Sequence, residues 1–79
     1  MKNDLTANLD KLHTTELGIL RIKRNTGSDA DDIVEWCRQK IEKTDEIVRK
    51  GKNWYVRVDG IVITINAHSF TIITAHKEK

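Results

Sequence analysis

The most constraining feature of the sequence is the Asp59-Gly60 pair, which lies between two runs of alternating apolar residues. Asp-Gly in this setting is a strong β-hairpin signal, because both central residues of a type I′ turn need a positive φ. A shift of one residue would move every side chain to the other face, so the alternation also predicts the register. A two-residue turn pairs Val58 with Ile61, Val56 with Ile63, and Trp54 with Ile65.

Two further strands are expected to extend this hairpin into an antiparallel meander. A loop within 66–69 places Phe70 opposite Ile65, Ile72 opposite Ile63 and Thr74 opposite Ile61. A first strand over 46–50 joins through Gly51 in one of two registers. A three-residue loop pairs Val48 with Trp54 on the core side, whereas a two-residue loop places Arg49 there. We favour the three-residue loop because it avoids burying a charge.

The first half of the chain has the periodicity of helices. A leucine at every third or fourth position predicts a short amphipathic helix over 4–12. Thr14 is the expected N-cap of a second helix that ends at Gly27, and Ser28 is the expected N-cap of a third. The apolar face of the third helix comprises Ile33, Cys37 and Ile41.

These elements predict one α+β domain over residues 1–79. In it, three N-terminal helices pack on one face of a four-stranded antiparallel β-meander. A chain of 79 residues has room for a single hydrophobic core. We expect this core between the third helix, with the other two helices, and the apolar face of the sheet.

The predicted register leaves an opposite sheet face that is only partly polar. Its rows are expected to hold Tyr55, Thr64 and Thr71, then Arg57, Val62 and Ile73, with Ala75 beyond them. The simplest interpretation is an ordinary solvated face, which antiparallel sheets commonly have. Because tyrosine and arginine are enriched at interfaces, a surface for another protein or a second copy is the functional prediction. The predicted partner-binding residues are Tyr55, Arg57, Thr64, Asn66, Thr71 and Ile73.

RNA is the alternative partner. The 14 basic and 12 acidic side chains give a net charge of +2, which does not by itself indicate nucleic acid. A basic cluster nevertheless surrounds Gly51, where Tyr55 could provide a stacking surface. The predicted nucleic-acid-binding residues are Arg49, Lys50, Lys52, Arg57 and His68.

No pattern in the sequence indicates an active site, a cofactor or a metal. Cys37 is the only cysteine and belongs to no CxxC or Cys/His cluster. The acidic block 29–32 lacks the glycine and glutamate that a calcium loop needs after it. His68 and His76 would lie about 26 Å apart along one strand, too far for an acid–base pair. We therefore expect a non-enzymatic protein that needs neither a metal nor a cofactor.

The sequence has no apolar run of the length that a signal peptide or a membrane span requires. Its first twelve residues mix charged, polar and leucine positions. This pattern predicts a cytoplasmic protein with no membrane partner.

Three strings, HTTELG, KGKNWYV and TINAHSFTIITAH, resemble a family of small bacterial proteins known as a domain of unknown function. The resemblance covers residues 5–77. It implies a small stand-alone bacterial protein and brings no catalytic residues with it.

At the level of the fold, helices followed by a four-stranded meander also resemble the small ribonuclease toxins of bacterial toxin–antitoxin systems. A resemblance of folds alone does not carry a function. It makes a ribonuclease the named alternative, for which the residues to test would be His68, Lys52, Arg57 and Thr71.

Overall fold

Helices occupy the first half of the chain and strands the second in the computed structural model, which describes residues 4–78. The four strands form one antiparallel sheet in the order β1-β2-β3-β4. The α+β class and the four-stranded antiparallel meander are therefore confirmed. The elements are α1 (Asp4–Ala7), a 3-10 turn (Leu9–Lys11), α2 (Glu16–Thr26), α3 (Ile33–Glu42), β1 (Ile47–Lys50), β2 (Asn53–Val58), β3 (Ile61–Asn66) and β4 (Ile72–Lys77).

The β2–β3 hairpin has the register that the sequence predicts, with Val58 opposite Ile61 and the two other apolar pairs in step. Asp59 and Gly60 adopt φ values of 50° and 77°, as a type I′ turn requires. The face that carries these pairs is the inner face of the sheet. It consists of Trp54, Val56, Val58, Ile61, Ile63 and Ile65, all buried.

The β1–β2 connection has the shorter loop, so the favoured three-residue loop is wrong. Lys50 pairs with Asn53 around Gly51-Lys52, and Arg49 rather than Val48 lies opposite Trp54. Arg49 does not become buried there because β1 is the edge strand. Its guanidinium lies 5.7 Å from the centre of the Trp54 ring, and its Nε donates to the Gly51 carbonyl at 3.0 Å. The charge thus stays in contact with water while the guanidinium lies over the indole ring.

The β3–β4 register also differs from the prediction. Ile72 lies opposite Ile65 instead of Ile63, and the position opposite Ile63 is taken by Ala75. The pairing shifts between Thr64 and Ile65, which leaves Ile73 without a partner across the strands. This β-bulge turns Ala75 to the inner face, where it is fully buried, although the sequence placed it on the opposite face.

The loop before β4 explains part of this difference. Asn66 Oδ1 accepts hydrogen bonds from the backbone N–H groups of His68 and Ser69, at 2.9 and 3.0 Å. Phe70 then adopts a left-handed conformation with a φ of 59°, and Asn66 N donates to Thr71 O at 2.8 Å. The loop is therefore 67–70 and not 66–69, and the strand after it starts later.

Three helix ends were predicted for α2 and α3, and two of them are displaced. Thr15 caps α2 by accepting from Gly18 N, and Asp32 caps α3 by accepting from Glu35 N. The predicted caps, Thr14 and Ser28, form other hydrogen bonds. The end of α2 at Gly27 is confirmed, since this residue has a φ of 73° and its N–H bonds back to the helix.

The three helices do not pack as equal partners on the inner face. The predicted helix over 4–12 is a one-turn helix followed by a 3-10 turn, and α2 packs along β4. Packing of all three helices on the sheet is therefore not confirmed. The predicted apolar face of α3 is confirmed, with Ile33, Cys37 and Ile41 all buried in the core. Burial raises the pKa of the Cys37 thiol to about 12.

Candidate interaction surface

The outer face of the sheet, opposite the inner face, carries a row that crosses all four strands. Val48 lies opposite Tyr55, Tyr55 opposite Thr64, and Thr64 opposite Thr74. Thr64 in the middle of the row is only 8% exposed, whereas Val48 at the β1 end is 55% exposed. A shallow depression at that end is lined by Val48, Lys50, Gly51 and Tyr55. The apolar and accessible part of the outer face is thus next to β1.

Arg57 belongs to a second row on this face, where it lies opposite Val62. Its Nη2 atom is 2.6 Å from Glu78 Oε2, and its Nε atom is 3.9 Å from Glu46 Oε2. The two carboxylates flank the guanidinium of a side chain that is 55% exposed. Arg57 is therefore already paired, which reduces its availability for a phosphate group.

Two predicted partner-binding residues do not lie in the rows expected for them. Thr74 takes the place opposite Thr64 that was predicted for Thr71, and His76 lies opposite Val62 where Ile73 was expected. The later start of β4 and the bulge at Ile73 displace both residues. Ile73 remains 36% exposed at the bulge.

Thr71 instead belongs to a chain of polar side chains that ends on His13. Its Oγ1 atom is 3.0 Å from His13 Nε2 and 2.7 Å from Ser69 Oγ, which lies 3.2 Å from Asn66 Oδ1. His13 Nδ1 lies 3.0 Å from the Lys11 carbonyl, which can only accept. In the neutral imidazole, Nδ1 therefore carries the proton and Nε2 accepts from the Thr71 hydroxyl. These bonds attach the β3–β4 loop to the segment that precedes α2.

Most of the predicted nucleic-acid-binding residues meet at one end of the sheet. Ala67 N donates to Lys52 O at 2.7 Å, which joins the β3–β4 loop to the β1–β2 turn. Arg57 lies at the opposite end, one residue from the pair that closes the β2–β3 turn. The exposed basic side chains brought together are Arg49, Lys50, Lys52 and His68.

Three exposed apolar residues were missing from the predicted surface. Val48 was assigned to the core, although a two-residue loop with glycine in first position matches a type II′ turn and could have indicated the correct register. Gly51 has the positive φ of 63° that this turn needs. Leu17 and Leu20 are 64% and 57% exposed on α2. Their exposure follows from the contact between Gly18 and β4, which the local sequence does not indicate.

Within residues 4–78, no group of three or more His, Cys, Asp or Glu side chains is arranged to hold a metal ion. The same part of the chain contains no helix that is long and apolar enough to cross a membrane.

Comparison with known proteins identifies a family. No curated protein and no solved structure matches the chain. Residues 6–76 match the family described as protein of unknown function, DUF3781. This match spans nearly the whole chain, including the HTTELG, KGKNWYV and TINAHSFTIITAH strings up to His76. The chain therefore belongs to the DUF3781 family.

Proposed function

We propose that this chain is a non-enzymatic interaction module that binds protein through the outer face of its sheet, and that its partner is a second copy. The observation that carries the proposal is the apolar part of that face at β1. Val48 is 55% exposed, and it adjoins Tyr55 and a shallow depression. An apolar row that reaches an edge strand can be continued by the same row of another copy, which covers the exposed side chain at the edge.

The charges of the outer face support a protein partner over a polyanion. Arg57 stands between the carboxylates of Glu46 and Glu78, so its positive charge is compensated. Pairs this exposed add little stability to the chain itself. Their main effect is that Arg57 attracts a phosphate backbone less strongly than an unpaired arginine would.

The small size of the chain also favours association. A domain of 79 residues buries a smaller fraction of its surface than a larger domain does. Oligomerisation is one of the ordinary ways in which small domains gain stability. Covering Val48 at the edge of the sheet in a dimer would add apolar burial to that of the core.

Light scattering behind a sizing column tests this proposal over a range of protein concentrations. The wild type is expected to form a dimer, and Val48→Asp to be a folded monomer because it places a charge at the β1 end of the apolar row. Ile73→Asp is the matched control, since it adds the same charge at the β4 bulge, outside that row. A monomeric wild type at every concentration would refute self-association, and equal effects of the two substitutions would refute the assignment to the row.

RNA binding at the basic end of the sheet is the second candidate. The observation that favours it is the convergence of Arg49, Lys50, Lys52 and His68 on one end. Labelled RNA should then bind at low salt with an affinity that falls steeply as salt increases. Lys52→Glu should weaken binding, while Arg57→Glu at the other end should change it less. Co-elution of RNA with a monomer would place this function first, and unchanged RNA mobility at low salt would eliminate it.

A further inference from the structure

The outer edge of β1 is open along its backbone. Among the described residues, β1 pairs with β2 alone, so its other side has no strand neighbour. Arg57 N donates to Glu46 O at 3.0 Å, which directs the backbone of Glu46 towards β2. Because these directions alternate along an antiparallel strand, the Ile47 carbonyl and both backbone groups of Arg49 point to the open edge, while Ile47 N donates to Asp45 O at 3.0 Å. Such an edge is a template for another strand.

The charges along this edge are arranged so that an antiparallel copy complements them. Asp45 and Glu46 precede the apolar pair Ile47-Val48, and Arg49 and Lys50 follow it. An antiparallel copy places the acidic end of one strand against the basic end of the other. A parallel copy would instead place like charges side by side, which is unfavourable. The terminal charges therefore protect the edge from arbitrary strands while permitting one orientation of its own copy.

Only two symmetric registers place the two-fold axis at the apolar centre of β1. Side chains directly opposite in an antiparallel pair share a face, so a two-fold axis must relate a residue to its own copy. With Ile47 at the centre, Glu46 would lie opposite the exposed Val48. With Val48 at the centre, Val48 lies against Val48 of the other copy, and Glu46 lies opposite Lys50 on both sides.

The surroundings of these residues favour the register centred on Val48. Val48 is 55% exposed, and the Glu46 side chain is 68% exposed and only loosely paired with Arg57, at 3.9 Å. Lys50 is exposed and has no ion-pair partner within residues 4–78. In the register centred on Ile47, Arg49 would lie opposite Asp45 of the other copy. The Arg49 guanidinium, however, already lies over Trp54 and bonds to the Gly51 carbonyl.

We propose that two copies of this chain pair antiparallel through β1, with Val48 opposite Val48 and Glu46 opposite Lys50. The pairing would produce one continuous eight-stranded sheet and extend the outer row from Tyr55 and Val48 into the same residues of the other copy. It rests on the proposed self-association and specifies its geometry.

Charge reversal tests the proposed pairs. Glu46→Lys and Lys50→Glu should each weaken dimerisation by at least about tenfold, because each replaces two attractions by two repulsions. The double variant exchanges the charges and should recover the dimer. Glu78→Lys is the matched control, because Glu78 contacts Arg57 more closely than Glu46 does but lies beyond β4. It should leave dimerisation unchanged.

Cysteine crosslinking tests the register itself. Opposite residues outside the hydrogen-bonded pairs of an antiparallel sheet have Cα atoms about 4.5 Å apart, within the range of a disulfide. Val48→Cys should therefore form a covalent dimer under mild oxidation, and Ile47→Cys should not. The wild type is the control, since its Cys37 is fully buried.

The outcomes separate this inference from the proposed function. A dimer that is indifferent to both charge reversals, or that crosslinks through Ile47→Cys in place of Val48→Cys, overturns the Val48-centred pairing and leaves self-association standing. A wild type that stays monomeric overturns both. Rescue by the double charge variant together with crosslinking at Val48 establishes the pairing.

Discussion

The two edges of the sheet are completed differently. Along β4, Ile72 N donates to His13 O at 2.8 Å, and Thr14 Oγ1 donates to Ile72 O at 2.8 Å. His13 and Thr71 form a parallel bridge there, and Asn25 Nδ2 reaches Thr74 Oγ1 at 3.3 Å. Along β1, in the part of the chain that the structure describes, no strand or helix supplies comparable partners.

This difference indicates where the molecule can accept a partner. At the start of the β4 edge, the N–H and C=O of Ile72 are satisfied by the segment before α2, and the close contact at Gly18 allows the helix to approach. The β1 edge is only four residues long and ends in charged residues, the ordinary protection of an exposed edge. We therefore expect substitutions at β4 to affect folding, and those at β1 to affect association.

The largest expected difference between the two edges comes from shortening one apolar side chain on each of them. Ile72→Ala should lower the free energy of unfolding by about 2–5 kcal/mol, because the side chain is only 1% exposed and its removal leaves a cavity. Val48→Ala should change it by less than about 0.5 kcal/mol in dilute, monomeric protein. Urea denaturation measures both. A comparable loss at Val48 would show that the β1 edge is not open.

A smaller effect is expected at the contact between α2 and β4. A Cβ atom on Gly18 would lie 2.1 Å from Thr14 Oγ1, so Gly18→Ala must displace the hydroxyl that bonds to Ile72 O. Alanine also favours the helix by up to about 1 kcal/mol, which offsets part of the loss. We expect net destabilisation in the wild type, and stabilisation in a Thr14→Ala background where the hydroxyl is absent.

A double-mutant cycle measures this coupling from urea denaturation of the four proteins. The expected interaction energy is about 1–2 kcal/mol. Additive effects of the two substitutions would mean that Gly18 is not required for the close approach of α2 to β4.

The smallest effect is expected in the β2–β3 turn, between the two edges. Lys40 Nζ lies 2.7 Å from Asp59 Oδ2, and this hydrogen bond and charge, with Lys43 further away, lower the pKa of Asp59. The pair therefore contributes stability above the pKa of an unfolded aspartate, and this contribution is lost as pH falls through the folded value. Asp59→Asn keeps a residue type that tolerates the left-handed backbone.

Denaturation of wild type and Asp59→Asn across acid pH checks this effect. A small advantage of the wild type at neutral pH should disappear in strongly acid solution. An advantage that is the same at both ends of the range would assign it to the turn backbone and not to the ion pair.

The two hairpins around β3 differ in how far the sequence predicts them. The β2–β3 register follows from Asp59-Gly60 and three apolar pairs, all within twelve consecutive residues, 54–65. The β3–β4 register depends on a loop that holds Phe70 at a φ of 59° and on a bulge at Ile73. Neither residue type favours its conformation, so local spacing could not indicate it.

The candidate surface divides in the same way. Tyr55, Arg57 and Thr64 lie on the outer face as their alternation in β2 and β3 predicts. Thr71 and Ile73 do not lie in their predicted rows, because both come after the loop. The position of Val48 does not follow from avoiding a buried arginine, because an edge strand leaves Arg49 in water on top of Trp54.

The sequence by itself determined the features that depend on neighbours along the chain. These are the α+β class, the β2–β3 hairpin, the buried face of α3 and the left-handed end of α2 at Gly27. Tertiary structure alone decided the bulge, the start of β4 and the difference between the two edges. The physical reason is that these depend on hydrogen bonds such as those of Thr14 and His13 to residues 58 positions away. Contacts at that separation leave no periodic pattern in the sequence.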